Sequence, residues 1–348
     1  MAKIILTGGG TAGHVTPHLS ILPHLEKHEL FYFGSTNGLE RNIISKTNIP
    51  YYEIPCVKLN RKLDLKNLTI PFTLIKGICT AKHYLKEIKP SLIFSKGGYV
   101  ALPTVIAGST LNIPIISHES DLTVGLANKI SQNYCEKILT SFEQTASEVK
   151  NGIYVGPPLR EELFKISKKQ ALNYFKFSGK KPILLVLGGS QGSKSINDAV
   201  NSCYEVLLNE FDIIHICGKN NVKKGLNKNG YVQLEYLHQI EYAYSVASVC
   251  VSRAGSNTLF ELLSLNIPTL LIPLPEGNSR GDQIQNAIYF YKKGMVNLLE
   301  QKNLTDNSFI LSIYNTYYNK ENLIKNISKN PIVSGSKKIA DILNSYIT

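Results

Sequence analysis

Short apolar runs alternate with amphipathic stretches along the whole chain. Residues 3–7, 30–34, 91–95, 113–117 and 136–140 are apolar runs of strand length, and 17–27, 38–46, 72–88, 100–111 and 143–150 between them have helical spacing. Apolar strands separated by amphipathic helices predict a parallel sheet with crossover helices. The pattern begins again after Gly156-Pro157-Pro158, a linker signal. Strands are expected there near 182–187, 212–217, 231–235, 248–252, 268–272 and 295–299, with helices near 193–208, 257–265 and 282–293. A chain of 348 residues exceeds what one hydrophobic core usually organises. The expected architecture is α/β: two Rossmann-like parallel-sheet domains facing across a cleft, 1–158 and 159–334, with a helix over 335–348 packing back on the first.

Both halves open alike, KIILTGGGTAGH and PILLVLGGSQGS, each an apolar strand running into a glycine loop and then a helix. In such sheets ligands bind beyond the carboxyl ends of the strands. The first loop holds a literal G-x-G-x-x-G in Gly8, Gly10 and Gly13. A dinucleotide site also wants an acidic residue closing the second strand, and LFYFGS ends in Gly34-Ser35 instead. The loop still offers backbone N–H groups to an anion, with a helix expected from near Pro17 aiming its positive end there. The second loop, Gly188 to Gly192, reads either as the same device or as a tight strand-to-helix turn. It lacks the Gly-Lys-Ser/Thr ending of an NTP-cleaving loop. A third block, SRAGSNTLFE at 252–261, is followed by GDQIQNA at 281–287. Ser256 or Asn257 is the expected cap of its helix. Glu261, one turn in, reads as a ribose-hydroxyl acceptor or as a solvated glutamate.

Composition narrows the field. The net charge of +12 suggests phosphates or acidic lipids as partners, but only five of the 38 basic residues are arginine, and scattered lysine is a poor reader of nucleic acid. Six cysteines at 56, 79, 135, 203, 217 and 250 show no paired or zinc-like spacing and read as reduced, buried thiols. No apolar run reaches the ~18 residues of a membrane span. Met1-Ala2-Lys3 leads straight into a short strand, so no signal peptide is expected and the chain should stay in the cytosol.

Taken together, GGGTAGHVTPHL, KGGYVALP at 96–103, HESDLTVGLANK at 118–129, GPPLR at 156–160, GGSQGS at 188–193, the SRAG…E block and DQIQNA resemble the MurG family of glycosyltransferases. The resemblance spans nearly the whole chain. It implies the GT-B fold and metal-independent, inverting transfer of N-acetylglucosamine from UDP-GlcNAc to lipid I, making lipid II. No cofactor is implied, no D-x-D motif occurs, and His14 with His18 lacks a third metal ligand nearby. Carried over by position, Thr11, Ala12 and Gly13 would face the sugar and Ser190 the diphosphate. Ser256, Asn257, Thr258, Leu259, Phe260 and Glu261 would line the nucleotide, with Glu261 on the ribose. Leu237 would meet the uracil through its backbone, Gln283 would hold a hydroxyl of the sugar ring, and Arg160 and Arg253 would lie near the diphosphate or its surroundings.

His14 is the candidate general base, since it follows the first loop and imidazole titrates near neutrality. One departure concerns His118-Glu119-Ser120-Asp121, where the family commonly has H-E-Q-N. An ionised aspartate only accepts hydrogen bonds, so Asp121 is a second catalytic candidate, positioning or activating the acceptor hydroxyl. A lipid acceptor implies an anionic inner-leaflet surface as partner and a peripheral location on the cytoplasmic face of the membrane. A cell-wall synthesis or division complex is a candidate partner. Ile70, Phe72, Leu74, Ile75 and Ile78, close to Lys66, Lys76 and Lys82, read as a membrane patch or as a core helix. Competing readings are a GT-B enzyme glycosylating diacylglycerol, a non-catalytic sugar-nucleotide-binding relative, and, last, a hydride-transfer enzyme.

Overall fold

The computed structural model describes residues 1–57, 70–189, 191–226, 228–277 and 280–347. The chain forms two compact units, Met1–Arg160 with Ser334–Thr348, and Glu161–Val333.

The first unit is a seven-stranded parallel sheet ordered β3-β2-β1-β4-β5-β6-β7. Its strands are β1 (Lys3–Thr7), β2 (Glu29–Gly34), β3 (Tyr51–Glu53), β4 (Leu92–Ser95), β5 (Ile115–Glu119), β6 (Lys137–Thr140) and β7 (Gly152–Tyr154). Its helices are α1 (Thr16–Leu19), α2 (Leu39–Ile44), α3 (Ile70–Ile88), α4 (Leu102–Ser109), α5 (Leu126–Ser131) and α6 (Glu143–Glu148). Alternate strand side chains point to opposite faces and fill two cores. Ile4, Leu6, Tyr32, Leu92 and Phe94 pack on one face with Val15, Ile21, Leu25 and Ile44. Ile5, Phe33, Ile93 and Ile115 pack on the other, under Ala81 and Leu85 of α3 and Val105 of α4.

The second unit repeats the scheme with six parallel strands ordered β10-β9-β8-β11-β12-β13. These are β8 (Ile183–Leu187), β9 (Asp212–Ile216), β10 (Tyr231–Leu234), β11 (Val249–Ser252), β12 (Thr269–Leu271) and β13 (Asn297–Leu298). Its helices are α7 (Lys168–Phe175), α8 (Lys194–Glu210), α9 (Ile240–Val246), α10 (Ser256–Ser264), α11 (Asp282–Lys292), α12 (Asp306–Tyr318) and α13 (Lys320–Lys329). The last helix, α14 (Ser336–Ser345), belongs to the first unit, where Ile339, Ala340 and Leu343 are buried beside Ile4 and Leu6.

Several local expectations are corrected. The helix expected over 17–27 is only α1 and a separate 3-10 turn at Leu22–His24. Pro17 and Pro23 each sit in the first turn of a piece, where a missing N–H is tolerated, but Pro23 cannot continue the piece before it. The edge strands β3 and β7 and helices α5, α7, α9, α12 and α13 are additions to the expected pattern, the strands because three residues with none buried make no apolar run. Cys79 is exposed rather than buried. Among the described residues no helix is long and apolar enough to cross a membrane.

Candidate functional site

Each unit carries its motif blocks at the carboxyl ends of its central strands. In both sheets the strand order reverses between two neighbours, β1 and β4 in the first and β8 and β11 in the second, which is where such sheets open a crevice. The first glycine loop follows β1 and the KGGY segment, 96–99, follows β4; the Lys96 N–H donates to Thr7 O at 2.8 Å. Gly98 has φ +76°, and a Cβ there would run into the Gly9 carbonyl and lie 3.3 Å from His14 Nδ1. Only glycine lets these two loops come this close.

The first loop already has an anion, and the protein supplies it. Glu40, 0% exposed on α2, accepts the Gly10 N–H at 3.2 Å, the Ser35 N–H at 3.0 Å and the Ser35 hydroxyl. Glu40, six positions past the end of β2, thus turns back into the loop. Of the first loop's amides, that of Gly10 is thereby satisfied within the protein. The expected helix dipole is also reduced, because α1 is a single turn.

His14 is half-buried and its Nδ1 lies 2.9 Å from Thr11 Oγ1. With the proton on Nδ1 donated to that oxygen, the basic lone pair is on Nε2, the tautomer a general base requires. Thr11 is exposed, and Ala12 and Gly13 are half-buried in the turn between them. His18 points away into the core. It is 0% exposed, edge-on to Tyr32 and Phe94, with Nε2 3.2 Å from Thr7 O. That orientation dissolves the His14–His18 pair as a metal site, and among the described residues no three His, Cys, Asp or Glu side chains are grouped to hold a metal ion.

The turn after β5 is organised by Glu119, the last residue of that strand, whose oxygens accept from Asp121 N at 3.0 Å, Gly125 N at 2.9 Å and Asn128 Nδ2 at 2.9 Å. Asp121 is half-buried at the edge of that turn. Arg160, half-buried, ends the first unit's main segment.

In the second unit, Arg253 gathers the site's framework rather than facing outward. It is 8% exposed and donates to Ile272 O at 2.9 Å, Pro273 O at 3.1 Å, Ser193 Oγ at 2.6 Å, Ser195 Oγ at 3.0 Å and Gln301 Oε1 at 2.7 Å. Burial pushes its guanidinium down to about 10, still protonated at neutral pH. The side chain thus clamps together the segments that follow β8, β11, β12 and β13. Ser193, the clamp's partner, caps α8 by accepting the Ile196 N–H at 3.4 Å. Ser190 lies outside the described residues.

The N-cap of α10 is Gly255, with no side-chain cap, so neither Ser256 nor Asn257 caps it as expected. Its first amides point out from a glycine turn at the end of β11, an anion-binding arrangement. Asn257, Thr258 and Glu261 are half-buried along α10, and Glu261 Oε2 accepts from Tyr244 Oη at 3.0 Å. Leu259 and Phe260 are buried, as is Leu237, so any role they have in binding is a main-chain one. Gln283 on α11 accepts the Leu274 N–H at 3.0 Å.

Three histidines are buried neutral. Burial pushes His18 down to about 3, His215 down to about 4 and His118 well below the ordinary value; the Lys96 charge adds to the effect at His18 and His118. Below the ordinary histidine value of 6.5 the unfolded chain binds protons that the folded chain refuses, so stability should fall with falling pH. For His18 and His215 the loss at pH 5 is about 2 kcal/mol each. A urea midpoint that drops between pH 7 and pH 5 is the expected reading; a flat midpoint would mean these rings are protonated in the fold.

The chain matches the glycosyltransferase family 28 N-terminal domain over residues 4–140 and the glycosyltransferase family 28 C-terminal domain over 183–343. A protein of Clostridium tetani named UDP-N-acetylglucosamine–N-acetylmuramyl-(pentapeptide) pyrophosphoryl-undecaprenol N-acetylglucosamine transferase is 45% identical, covering 99% of this chain and 98% of that protein. A Clostridium botulinum protein of the same name is 44% identical over 99% of both chains. Among solved structures, Acinetobacter baumannii MurG has the same fold, with a TM-score of 0.76 at 22% identity over 99% of this chain and 100% of that one. With paired parallel-sheet units, motif loops at both switch points and relatives this similar along nearly their whole length, the chain belongs to glycosyltransferase family 28 and is a hexosyltransferase.

Proposed function

We propose that this enzyme transfers N-acetylglucosamine from UDP-GlcNAc to the MurNAc 4-hydroxyl of lipid I, with inversion at the anomeric carbon, giving lipid II. The observation that carries the reading is 45% identity over 99% of the chain to a transferase named for that sugar and an undecaprenol-linked acceptor.

The second unit takes the donor. Glu261 accepts the ribose hydroxyls, the backbone at Leu237 meets the uracil, and Gln283 holds a hydroxyl of the sugar ring. The diphosphate is met without a metal ion by Ser190, the first amides of α10 and Arg160, while Arg253 keeps the flanking loops in register. Preorganised donors of this kind stabilise a leaving group without reorganising during the reaction. The first unit takes the acceptor. As the acceptor oxygen bonds to the anomeric carbon, its proton passes to His14 Nε2; the bond from that carbon to the diphosphate oxygen breaks, and its electron pair leaves with UDP. Thr11 holds the imidazole through Nδ1, and Asp121 accepts a hydrogen bond from a sugar hydroxyl.

The test is to supply UDP-GlcNAc with a lipid I analogue and follow UDP release and disaccharide formation. Product confirms the reading. Donor binding without product points to a non-catalytic relative, and product only with diacylglycerol points to the other acceptor class.

A polyprenyl acceptor requires contact with the inner leaflet, and α3 offers it. Phe72 and Ile75 are 76% and 59% exposed beside the exposed Lys76, whereas Ile70, Leu74 and Ile78 are half-buried and Ile78 packs against the core. The patch is therefore narrower than the five apolar residues suggested, and Lys66 lies outside the described residues. Replacing Phe72 and Ile75 together by serine should reduce binding to anionic vesicles by about 10-fold or more, given ~25 cal/mol per Å² of apolar surface, and leave UDP-GlcNAc affinity unchanged. Unchanged vesicle partitioning would reject the patch.

A further inference from the structure

The loop that leads to His14 is held by a carboxylate with no part in the transfer as described. Glu40 sits in the first turn of α2 and is 0% exposed. Its oxygens accept the Gly10 N–H at 3.2 Å, the Ser35 N–H at 3.0 Å and the Ser35 hydroxyl, so one side chain bridges the loop after β1 and the end of β2. An ideal Cβ on Gly9 would lie 2.6 Å from Glu40 Cδ, so the missing side chain makes room for the carboxylate. Two tyrosines complete the support. The Tyr32 hydroxyl, enclosed in the core, donates to Gly8 O at 2.7 Å, and the Tyr51 hydroxyl donates to Ser35 O at 2.6 Å; their rings stack 5.8 Å apart.

Burying a carboxylate is costly unless its oxygens are engaged, and here both accept. The donors it meets lie past the ends of β1 and β2, where the strand ladder no longer satisfies main-chain N–H groups. Directly after Gly10 comes Thr11, whose Oγ1 lies 2.9 Å from His14 Nδ1, and the His14 N–H donates to Thr11 O at 3.1 Å. From Gly8 to His14 the chain therefore forms one turn, held by Tyr32 at its start and by Glu40 at its middle. Thr11 is exposed, so the main chain before it, rather than packing of its own side chain, sets where its hydroxyl lies. A displacement of about 1 Å in a reacting group can lower a rate by roughly 100-fold.

We propose that Glu40 is a positioning residue for the transfer, its enclosed carboxylate fixing the Gly9-Gly10 turn and, through it, the Thr11 and His14 pair. The proposal rests on the reading above that His14 takes the acceptor's proton. A neutral amide at position 40 fills the same space but keeps only one acceptor oxygen and sets an NH2 group against a main-chain N–H. The turn then shifts and carries the imidazole with it, while the donor residues of the second unit are untouched.

The test is a double-mutant cycle of Glu40→Gln, His14→Ala and the two combined, read by kcat and KM with UDP-GlcNAc and a lipid I analogue, and by urea unfolding. Kinetics are measured at a temperature where every variant is folded. Glu40→Gln alone should lower kcat by about 10-fold or more and leave the donor KM within about 2-fold. In the His14→Ala background the same substitution should lower kcat by less than about 2-fold, whereas the urea midpoint should fall equally in both backgrounds. A folded Glu40→Gln enzyme with wild-type kcat would overturn the proposal. So would an equal kcat loss with and without His14, which would make the carboxylate a support of the fold alone. A His14→Ala enzyme with wild-type kcat would withdraw the base, and the positioning role with it, while leaving the transfer reaction intact. Wild-type enzyme that makes no disaccharide would remove the functional reading itself. If the glutamine variant does not fold, Ser35→Ala removes one of the carboxylate's three donors, leaves its volume in place and enters the same cycle.

Discussion

Replacing His14 with alanine should lower kcat by about 100- to 10,000-fold, the usual range for a general base, and leave the KM for UDP-GlcNAc within a few-fold. Replacing Glu261 with alanine should do the opposite, raising the donor KM by about 10- to 100-fold, since a charge-assisted hydrogen bond contributes roughly 1.5–3 kcal/mol. The asymmetry follows from where the residues sit. His14 follows the loop after β1 in the first unit and is oriented by Thr11, whereas Glu261 lies on α10 of the second and is oriented by Tyr244. Steady-state kinetics with both substrates varied separates the two effects. A KM effect at position 14 and a kcat effect at position 261 would exchange the assigned roles.

The second large effect is on stability. Glu40→Ala should destabilise the first unit by about 3–5 kcal/mol, because it leaves the Gly10 and Ser35 N–H groups without their acceptor and opens a void against Gly9 and Gly38. For a unit of this size that corresponds to a fall of roughly 10 °C in melting temperature. Glu40→Gln keeps the volume and one acceptor oxygen and should cost less than half as much. Thermal unfolding of both variants checks the pair; an alanine variant that melts with the wild type would mean that water or a loop movement replaces the carboxylate.

Glu40 also shows why the first glycine loop was only half legible. Reading along the chain, the loop resembled a phosphate cradle lacking its ribose acid. A carboxylate does reach the loop, that of Glu40 on the Gly10 N–H, but from 30 positions away, and no local spacing rule carries that information. Lys96 was hidden in the same way. KGGYVALP stood out as a motif, yet its lysine reads as an ordinary surface residue until β4 and β5 are paired and His118 and Ser120 close over it. Arg253 stands out in the sequence by the rarity of arginine, but its five acceptors come from the segments after β8, β12 and β13, which no local pattern brings together. The break at Pro23 is different, since a proline inside a helical pattern is itself a local signal.

Periodicity and turn chemistry were enough to recover most strands, the restart after the proline pair, and the glycine loops that end β1 and β8. Those features depend on neighbours along the chain: alternate side chains must face opposite layers, and a strand must turn sharply before a crossover helix. The fate of each charge depends on neighbours across the sheet. Whether Glu40, Lys96 or Arg253 meets solvent, a ligand or another buried group is set by which strands lie side by side. The parallel sheet brings together segments tens of residues apart, and desolvation then ties each enclosed charge to the partners waiting there.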